Sequence, residues 1–272
     1  MNNKYGKNIF VTGASSGIGR ACAIEFAKNG CQVVGVSRTI EEGTEIFPSG
    51  GTLTCKRLDI TDEAAAKNFV DGLPNIDIAI LCAGMGVAGP AESTPMELTR
   101  RQMEVNYFGT LNVAGPVLKR MREKGSGLLI VIGSIAGRVP IPMQSQYSSS
   151  KYALEAYTDA VRMEMKRFGV RATIIEPGDT KTGFTEARVT DCQGDTNAYG
   201  QVVKRSVAKM ARDEQKGRGP ESVAKVAWKL ACKSDPPARV PVGFEYKALM
   251  QLLRIMPDRA KEAILSKMYL PK

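Results

Sequence analysis

The run Lys7-Asn8-Ile9-Phe10-Val11 leads without a break into Thr12-Gly13-Ala14-Ser15-Ser16-Gly17-Ile18-Gly19, and from there into Arg20 to Gly30. The first piece is short, apolar and β-branched, as a buried strand is. The last has the make-up of a helix closed by a glycine cap. Strand, glycine-rich turn and helix in this order point to a fold that alternates the two elements. Glycines in such a turn let the backbone approach a pyrophosphate, and the helix N-terminus presents unpaired amides to it. The spacing is Gly-x-x-x-Gly-x-Gly, so on its own it also fits a plain glycine-rich β-α turn.

The rest of the chain keeps the alternation. Cys31 to Val36, Leu53 to Leu58, Asp77 to Leu81, Gly127 to Ile132 and Val170 to Glu176 read as five further strands, with helices near 62–72, 95–124 and 147–168 between them. A single α/β domain over 1–272, a doubly wound parallel sheet with helices on both faces, is expected. Two stretches depart from the pattern: a polar segment from Asp179 to about Gly219, and everything after Asp235.

Histidine is absent from all 272 residues, so proton chemistry needs another acid and base. Tyr147-Ser148-Ser149-Ser150-Lys151 supplies a candidate, with Ser134 thirteen residues upstream. Four apart on a helix, Tyr147 and Lys151 share a face. An ammonium about 4 Å from a phenol favours the phenolate by roughly 4 kcal/mol at an effective dielectric of about 20. Half of that brings the tyrosine's pKa from about 10 towards the operating pH. Ser134 at a strand end can donate to a carbonyl oxygen and stabilise charge developing there. Chance also supplies Tyr-x-x-x-Lys in many proteins, and the pair gains weight only together with the N-terminal turn.

Taken together, these constellations resemble the short-chain dehydrogenase/reductase family across nearly the whole chain. Ala83-Gly84 follows the apolar strand Ile78-Ala79-Ile80-Leu81, Asn106 lies in a helix ahead of Ser134, and Pro177-Gly178-Asp179-Thr180-Lys181-Thr182 matches the family's Pro-Gly-x-x-x-Thr turn. Leu81-Cys82-Ala83-Gly84 departs from the family's Asn-Asn-Ala-Gly, which removes a stabilising side-chain hydrogen bond and not the chemistry. The resemblance implies a Rossmann fold and an EC 1.1.1 oxidoreductase. In it Tyr147 protonates a substrate carbonyl oxygen, Ser134 orients that carbonyl, Lys151 holds the nicotinamide ribose and lowers the tyrosine's pKa, and Asn106 positions a water linking Lys151 to solvent. Asn106 also reads as a buried cap or kink residue.

Cofactor contacts are expected at Gly13, Ser15, Ser16, Gly17, Ile18 and Gly19, at Ser37 and Arg38, at Asp59 and Ile60, and at Ala83, Gly84 and Asn106. Tyr147, Lys151, Pro177, Gly178, Thr180 and Thr182 complete the set. Ser37-Arg38 stand where an NAD-selective site places a carboxylate, and a guanidinium suits the 2′-phosphate of NADP, so NADP(H) is expected. A surface arginine beside a site that takes either nucleotide is the alternative. Asp59 equally reads as a carboxylate near the helix start at Thr61-Asp62-Glu63.

Residues 201–272 hold sixteen Lys or Arg against seven Asp or Glu, so almost all of the net charge of +10 is C-terminal. Lys247 to Met256 is amphipathic, with Lys247, Gln251 and Arg254 on one stripe, and a second helix from Asp258 to Met268 follows Pro257. This extension, about 244–269, suits packing on its own domain or on a second subunit, or peripheral contact with an anionic membrane. Its place after Arg239-Val240-Pro241-Val242-Gly243 is similar to the hydroxysteroid and retinol dehydrogenase branch of the family. That implies a small hydrophobic carbonyl or alcohol substrate such as a steroid, bile acid, retinoid or lipid, with a 3-oxoacyl-type reductase as the runner-up. A nucleotide-sensing binding protein on the same fold is disfavoured by the retained Tyr147 and Lys151.

The segment about 179–219 is long enough for a substrate lid, with Phe184, Tyr199, Val202, Val203 and Val207 able to present apolar surface, or it is an exposed insertion. No nucleic-acid module is recognisable among the scattered basic residues. The six cysteines lack Cys-x-x-Cys spacing and no metal site is expected. No apolar run reaches the eighteen or so residues of a membrane span, and Met1 to Gly6 lacks a signal-peptide core. A cytoplasmic homodimer or homotetramer beginning at Met1 is the expectation.

Overall fold

Ile9, Phe10 and Val11 are all buried, and they anchor the first strand, β1 (Asn8–Thr12), at the centre of the sheet. The computed structural model of the chain describes residues 2–190 and 198–270. From β1 the chain enters α1 (Gly17–Lys28), β2 (Gln32–Ser37), β3 (Gly43–Ile46), β4 (Thr52–Arg57) and α2 (Glu63–Gly72). It continues through β5 (Ile78–Leu81), β6 (Val87–Ala88), α3 (Met96–Met103), α4 (Gly109–Lys124), β7 (Gly127–Ile132), α5 (Ser145–Lys166) and β8 (Val170–Glu176). Beyond β8 come α6 (Phe184–Ala187), β9 (Val189–Thr190), α7 (Gly200–Lys216), α8 (Glu221–Ala231), β10 (Arg239–Pro241), α9 (Phe244–Ile255) and α10 (Asp258–Tyr269).

The main sheet runs β10-β8-β7-β5-β1-β2-β4-β3. Every pairing in it is parallel except β3 with β4. The expected doubly wound sheet is therefore present, with two additions. All four residues of β3 are exposed, which hides it from a search for buried apolar runs. It forms by antiparallel pairing with β4 and is itself the edge of the sheet. At the other edge β10 reads as a strand only once β8 is beside it.

Strand order reverses between β1 and β5, which leaves a crevice outside their carboxyl ends, the usual ligand position in open α/β sheets. Residues buried on both faces, such as all six of β7, make this centre rigid. Two buried clusters lie on opposite faces, one around Phe26, Leu53 and Val223, the other around Phe10, Met121 and Leu129.

The expected helix 95–124 is interrupted. Between α3 and α4 one π-helical turn, Glu104–Phe108, holds Asn106 at its centre. Such turns insert one residue too many for the α ladder and are frequent at functional sites.

The segment 179–219 is tied to the body by β6 pairing with β9, and carries α7, whose Val203 and Met210 are buried. Within this polar segment, residues 191–197, Cys192 among them, lie outside the described residues. Among the described residues the other five cysteines are free thiols, no group of carboxylates, cysteines or histidines could hold a metal, and no helix is long and apolar enough to cross a membrane.

Candidate active site

One cavity of about 560 Å³ follows the carboxyl ends of β1, β2, β5, β7 and β8. Its polar end is built from the glycine turn. Gly13 has φ +71°, and a Cβ there would stand 2.9 Å from Ala83, while one on Gly19 would stand 2.2 Å from the Gly13 carbonyl oxygen. Only glycine lets the turn close this tightly on α1 and on the end of β5. Ser16 is the N-cap of α1 but makes no side-chain capping bond, so the first amides of the helix are left to the cavity. Open amides, a positive helix end and bare glycines are what a pyrophosphate needs, so these residues fit such a group.

The Ser15 and Ser37 hydroxyls lie 3.0 Å apart and join this turn to the end of β2. Arg38 follows, exposed, with no carboxylate within ion-pair distance among the described residues. Asp59 and Ile60 line the next wall. Asp59 Oδ1 accepts from the Thr61 amide at 3.0 Å and the Thr61 hydroxyl at 2.8 Å, while Asp62 is the N-cap of α2. Asp59 thus lines the cavity and shapes the turn before the helix, while Asp62 takes the N-cap position.

Ser134 follows β7 by two residues and caps a short 3-10 turn, its Oγ accepting from the Ala136 amide at 3.1 Å. Tyr147 and Lys151 rise from the first turns of α5 into the same cavity. Lys151 is buried, and its Nζ donates to the Ile132 carbonyl at 2.9 Å and sits 5.8 Å from the Tyr147 ring centroid. Burial lowers the lysine's pKa to about 8.

The expectation that Lys151 brings the phenol near neutral pH is corrected here. Burial pushes Tyr147 up to about 12, opposed first by a hydrogen bond from Ser134. The Lys151 ammonium is directed at the Ile132 carbonyl, not at the phenol oxygen. Without a bound cofactor Tyr147 is a phenol, not a phenolate.

Pro177, Gly178, Thr180 and Thr182 form the turn after β8 and line the cavity too, as do Ala83 and Gly84 after β5. Asn106 is the expected residue that does not line it. It is fully buried, its Oδ1 accepting from the Met85 amide at 2.8 Å and its Nδ2 donating to the Met85 carbonyl at 3.0 Å and Ser150 Oγ at 3.1 Å. Its side chain holds the cavity wall from behind instead of touching the contents.

The apolar end comes from two elements. Phe184, on α6, sets its ring 5.7 Å from that of Tyr147, tilted by 55°, and leaves no room for a Cβ on Gly86. Tyr199, paired with it in the sequence reading, does not line the cavity. Leu249 and Leu253 of α9 and Ile264, Leu265 and Met268 of α10 complete the wall. Tyr246 lays its ring on Gly178 and bonds Asp179 twice, donating to Oδ2 at 2.6 Å and accepting from the amide at 3.0 Å. These C-terminal residues were not identified as site residues from the sequence. Helical periodicity showed that α9 has an apolar face, while nothing local says what that face covers.

A family model described as short chain dehydrogenase matches residues 7–193. A 3-ketodihydrosphingosine reductase of Bacteroides thetaiotaomicron is 32% identical over 240 residues, covering 86% of this chain and 87% of that protein. An NADPH-dependent 3-dehydrocapnine reductase of Ornithobacterium rhinotracheale is 32% identical over 274 residues, covering 94% and 95%. Among solved structures, a short-chain dehydrogenase from Streptomyces avermitilis has the same fold, with a TM-score of 0.80 at 24% identity over 98% of this chain and 97% of that one. With the glycine turn, the Ser134, Tyr147 and Lys151 arrangement and the sheet order all in agreement, this chain belongs to the short-chain dehydrogenase family of oxidoreductases.

Proposed function

We propose that the chain interconverts a ketone and a secondary alcohol, or an aldehyde and a primary alcohol, on a long-chain apolar substrate, using NADP(H). One observation carries the reading: Tyr147 and Ser134 lie between the glycine cradle with Arg38 at one end of a single cavity and an apolar wall at the other. NADPH would supply hydride to the carbonyl carbon. The glycine turn and the N-terminus of α1 would bind its pyrophosphate, Ser37 and Arg38 its 2′-phosphate, and Asp59, Ile60, Ala83 and Gly84 its adenosine. Lys151 would hold the nicotinamide ribose, with Pro177, Gly178, Thr180 and Thr182 around the nicotinamide.

Tyr147 would donate its proton to the carbonyl oxygen. Ser134, with an Oγ lone pair on the Ala136 amide and its hydroxyl towards Tyr147, would turn that hydroxyl to the carbonyl oxygen of a bound substrate. Asn106 acts one layer out, through Met85. Leu249, Leu253, Ile264 and Met268 suit an extended chain, and the names of the two relatives above, both reductases of keto or dehydro compounds, agree with a lipid ketone. Tyr152 (41% exposed) and Met163 (74% exposed) on one face of α5 offer a surface for a second copy of the chain.

The test is NADPH consumption, followed at the nicotinamide absorbance, with long-chain ketones, steroids, bile acids, retinoids and 3-oxoacyl thioesters. Turnover is expected to be best with the long-chain ketones. Preference for a 3-oxoacyl thioester would replace this reading with the reductase alternative.

Because burial holds Tyr147 up to about 12, the phenol is the donor form throughout the neutral range. Ketone reduction is therefore expected to show no rise between about pH 6 and pH 8, whereas alcohol oxidation, which starts from the phenolate, climbs with pH. A rise of reduction with pH would exclude Tyr147 as the acid.

The segment 179–219 is proposed as the cover of the substrate end, with Phe184 its contact residue. Phe184→Ala is expected to raise KM for long-chain ketones several-fold and leave KM for short ones little changed. Equal changes for both would move specificity to α9 and α10.

A further inference from the structure

Tyr147, Lys151, Glu155 and Asp159 recur every fourth residue and share one face of α5. The first two face the cavity, and the third points into the core, where Glu155 is 5% exposed and Glu176, the last residue of β8, is 0% exposed. Arg239 Nε donates to Glu155 Oε2 at 2.8 Å and stands 3.9 Å from Glu176 Oε1, which also faces Arg138 Nη1 at 3.5 Å. Arg239 Nη2 donates to Asp159. Two oxygens remain. Glu155 Oε1 and Glu176 Oε2 are buried without a partner, and Arg239 stands against both side chains.

Unpartnered buried carboxylate oxygens are costly, and two buried anions beside one arginine are costlier. A single proton between them satisfies both. It also balances the charge, since Arg138 and Arg239 would then face Asp159 and one net negative charge on the pair. We propose that Glu155 and Glu176 form a carboxyl pair sharing one proton, and that in this state they are positioning residues holding the Ser134 turn against the helix of Tyr147 and Lys151.

The surroundings show how the pair would act. Gly137, in the turn after Ser134, packs so closely that a Cβ there would stand 3.1 Å from Glu155 Cγ and 3.0 Å from the Lys151 carbonyl oxygen. Gly133, just before Ser134, packs so closely that a Cβ there would stand 2.8 Å from Ile174 Cδ1 and 3.1 Å from Glu155 Oε1. Glu176 directly precedes the Pro177-Gly178 turn, whose Pro177 carbonyl accepts from the Ile135 amide at 3.0 Å. The pair therefore touches all three strips of backbone that carry the candidate catalytic groups. The charged and titratable groups around it are Lys151, Tyr152 and Asp159 on α5, Arg138 beyond the Ser134 turn, and Arg239 on β10. Burial and the Glu176 charge push Glu155 up to about 7, and burial pushes Glu176 upward as well. Loss of the shared proton above that pH would set two anions against each other beneath Ser134.

Glu155→Gln tests this, because its amide donates to Glu176 while the pair keeps one negative charge. The inference rests on the proposed roles of Ser134, Tyr147 and Lys151, so the first measurement uses the free protein and no substrate. An infrared band of a protonated carboxyl is expected at about pH 6, lost by about pH 9 and absent from Glu155→Gln. Linkage gives a second sign. A carboxyl raised in the folded state contributes stability fully present below its unfolded pKa of about 4.5 and lost as pH rises through about 7, so the melting temperature of the wild type should fall across that window relative to Glu155→Gln. In turnover, Glu155→Gln should keep near wild-type kcat/KM at about pH 6 and lose less of it than the wild type by about pH 8. Glu176→Gln should behave alike and serves if the first variant does not fold. No protonated-carboxyl band in the wild type, or parallel pH profiles of melting for wild type and variant, would overturn the proposal even if ketone reduction is confirmed.

Discussion

Replacing Tyr147 with phenylalanine is expected to cut kcat for ketone reduction by about 10²–10⁴-fold, the usual contribution of a positioned general acid, and to leave NADPH affinity nearly unchanged. The ring keeps its place against Phe184, 5.7 Å away, so packing of α5 and α6 survives and only the proton and its hydrogen bond with Ser134 are lost. Lys151→Ala should behave differently. Its ammonium reaches into the cavity and onto the Ile132 carbonyl, so its removal should weaken both turnover and NADPH binding. Steady-state rates at saturating NADPH, with a fluorescence titration of the cofactor for each variant, separate the two patterns. A phenylalanine variant retaining more than about a tenth of the wild-type rate would remove Tyr147 from the acid role.

Much of the fold was legible because the strands here are buried on both faces and read as continuous apolar runs. The span Gly127–Ile132 is buried at every position, and its predicted and observed limits coincide, as do those of Val170–Glu176. What escaped was decided by partners remote in sequence. Gly43–Ile46 is wholly exposed and becomes a strand only by pairing with β4, and the π-turn at Asn106 follows from the clamp its side chain makes on Met85, twenty-one residues earlier.

The same division runs through the site. Gly13, Gly19, Ser134, Tyr147 and Lys151 sit beside turns whose local chemistry announces them, whereas Tyr246 acquires its place only because its ring lies over Gly178. Electrostatics was the least legible part. Helical spacing correctly put Lys151 on the face of Tyr147, but the direction of the phenol's shift depends on how much water the folded chain removes, and here burial is the largest cause and raises it.

Arg38→Asp is expected to turn the cofactor preference from NADPH towards NADH. A hydrogen bond to a charged group is worth about 1.5–3 kcal/mol, or roughly 10–100-fold, and the new carboxylate adds repulsion against a 2′-phosphate while offering an acceptor to a 2′-hydroxyl. Exposure of Arg38 places the loss toward the lower end, since solvent and salt screen an exposed charge. The contact does not stand alone, because the Ser15 and Ser37 hydroxyls, 3.0 Å apart, fix the end of β2 against the glycine turn and so set where the arginine begins. The ratio of kcat/KM for the two cofactors should therefore fall by at least about tenfold in the variant, and in the wild type it should shrink as ionic strength is raised. Equal kcat/KM for NADPH and NADH in the wild type at low salt would reduce Arg38 to a surface charge, and the preference for a phosphorylated cofactor would then have to be sought in the backbone amides of the turn itself.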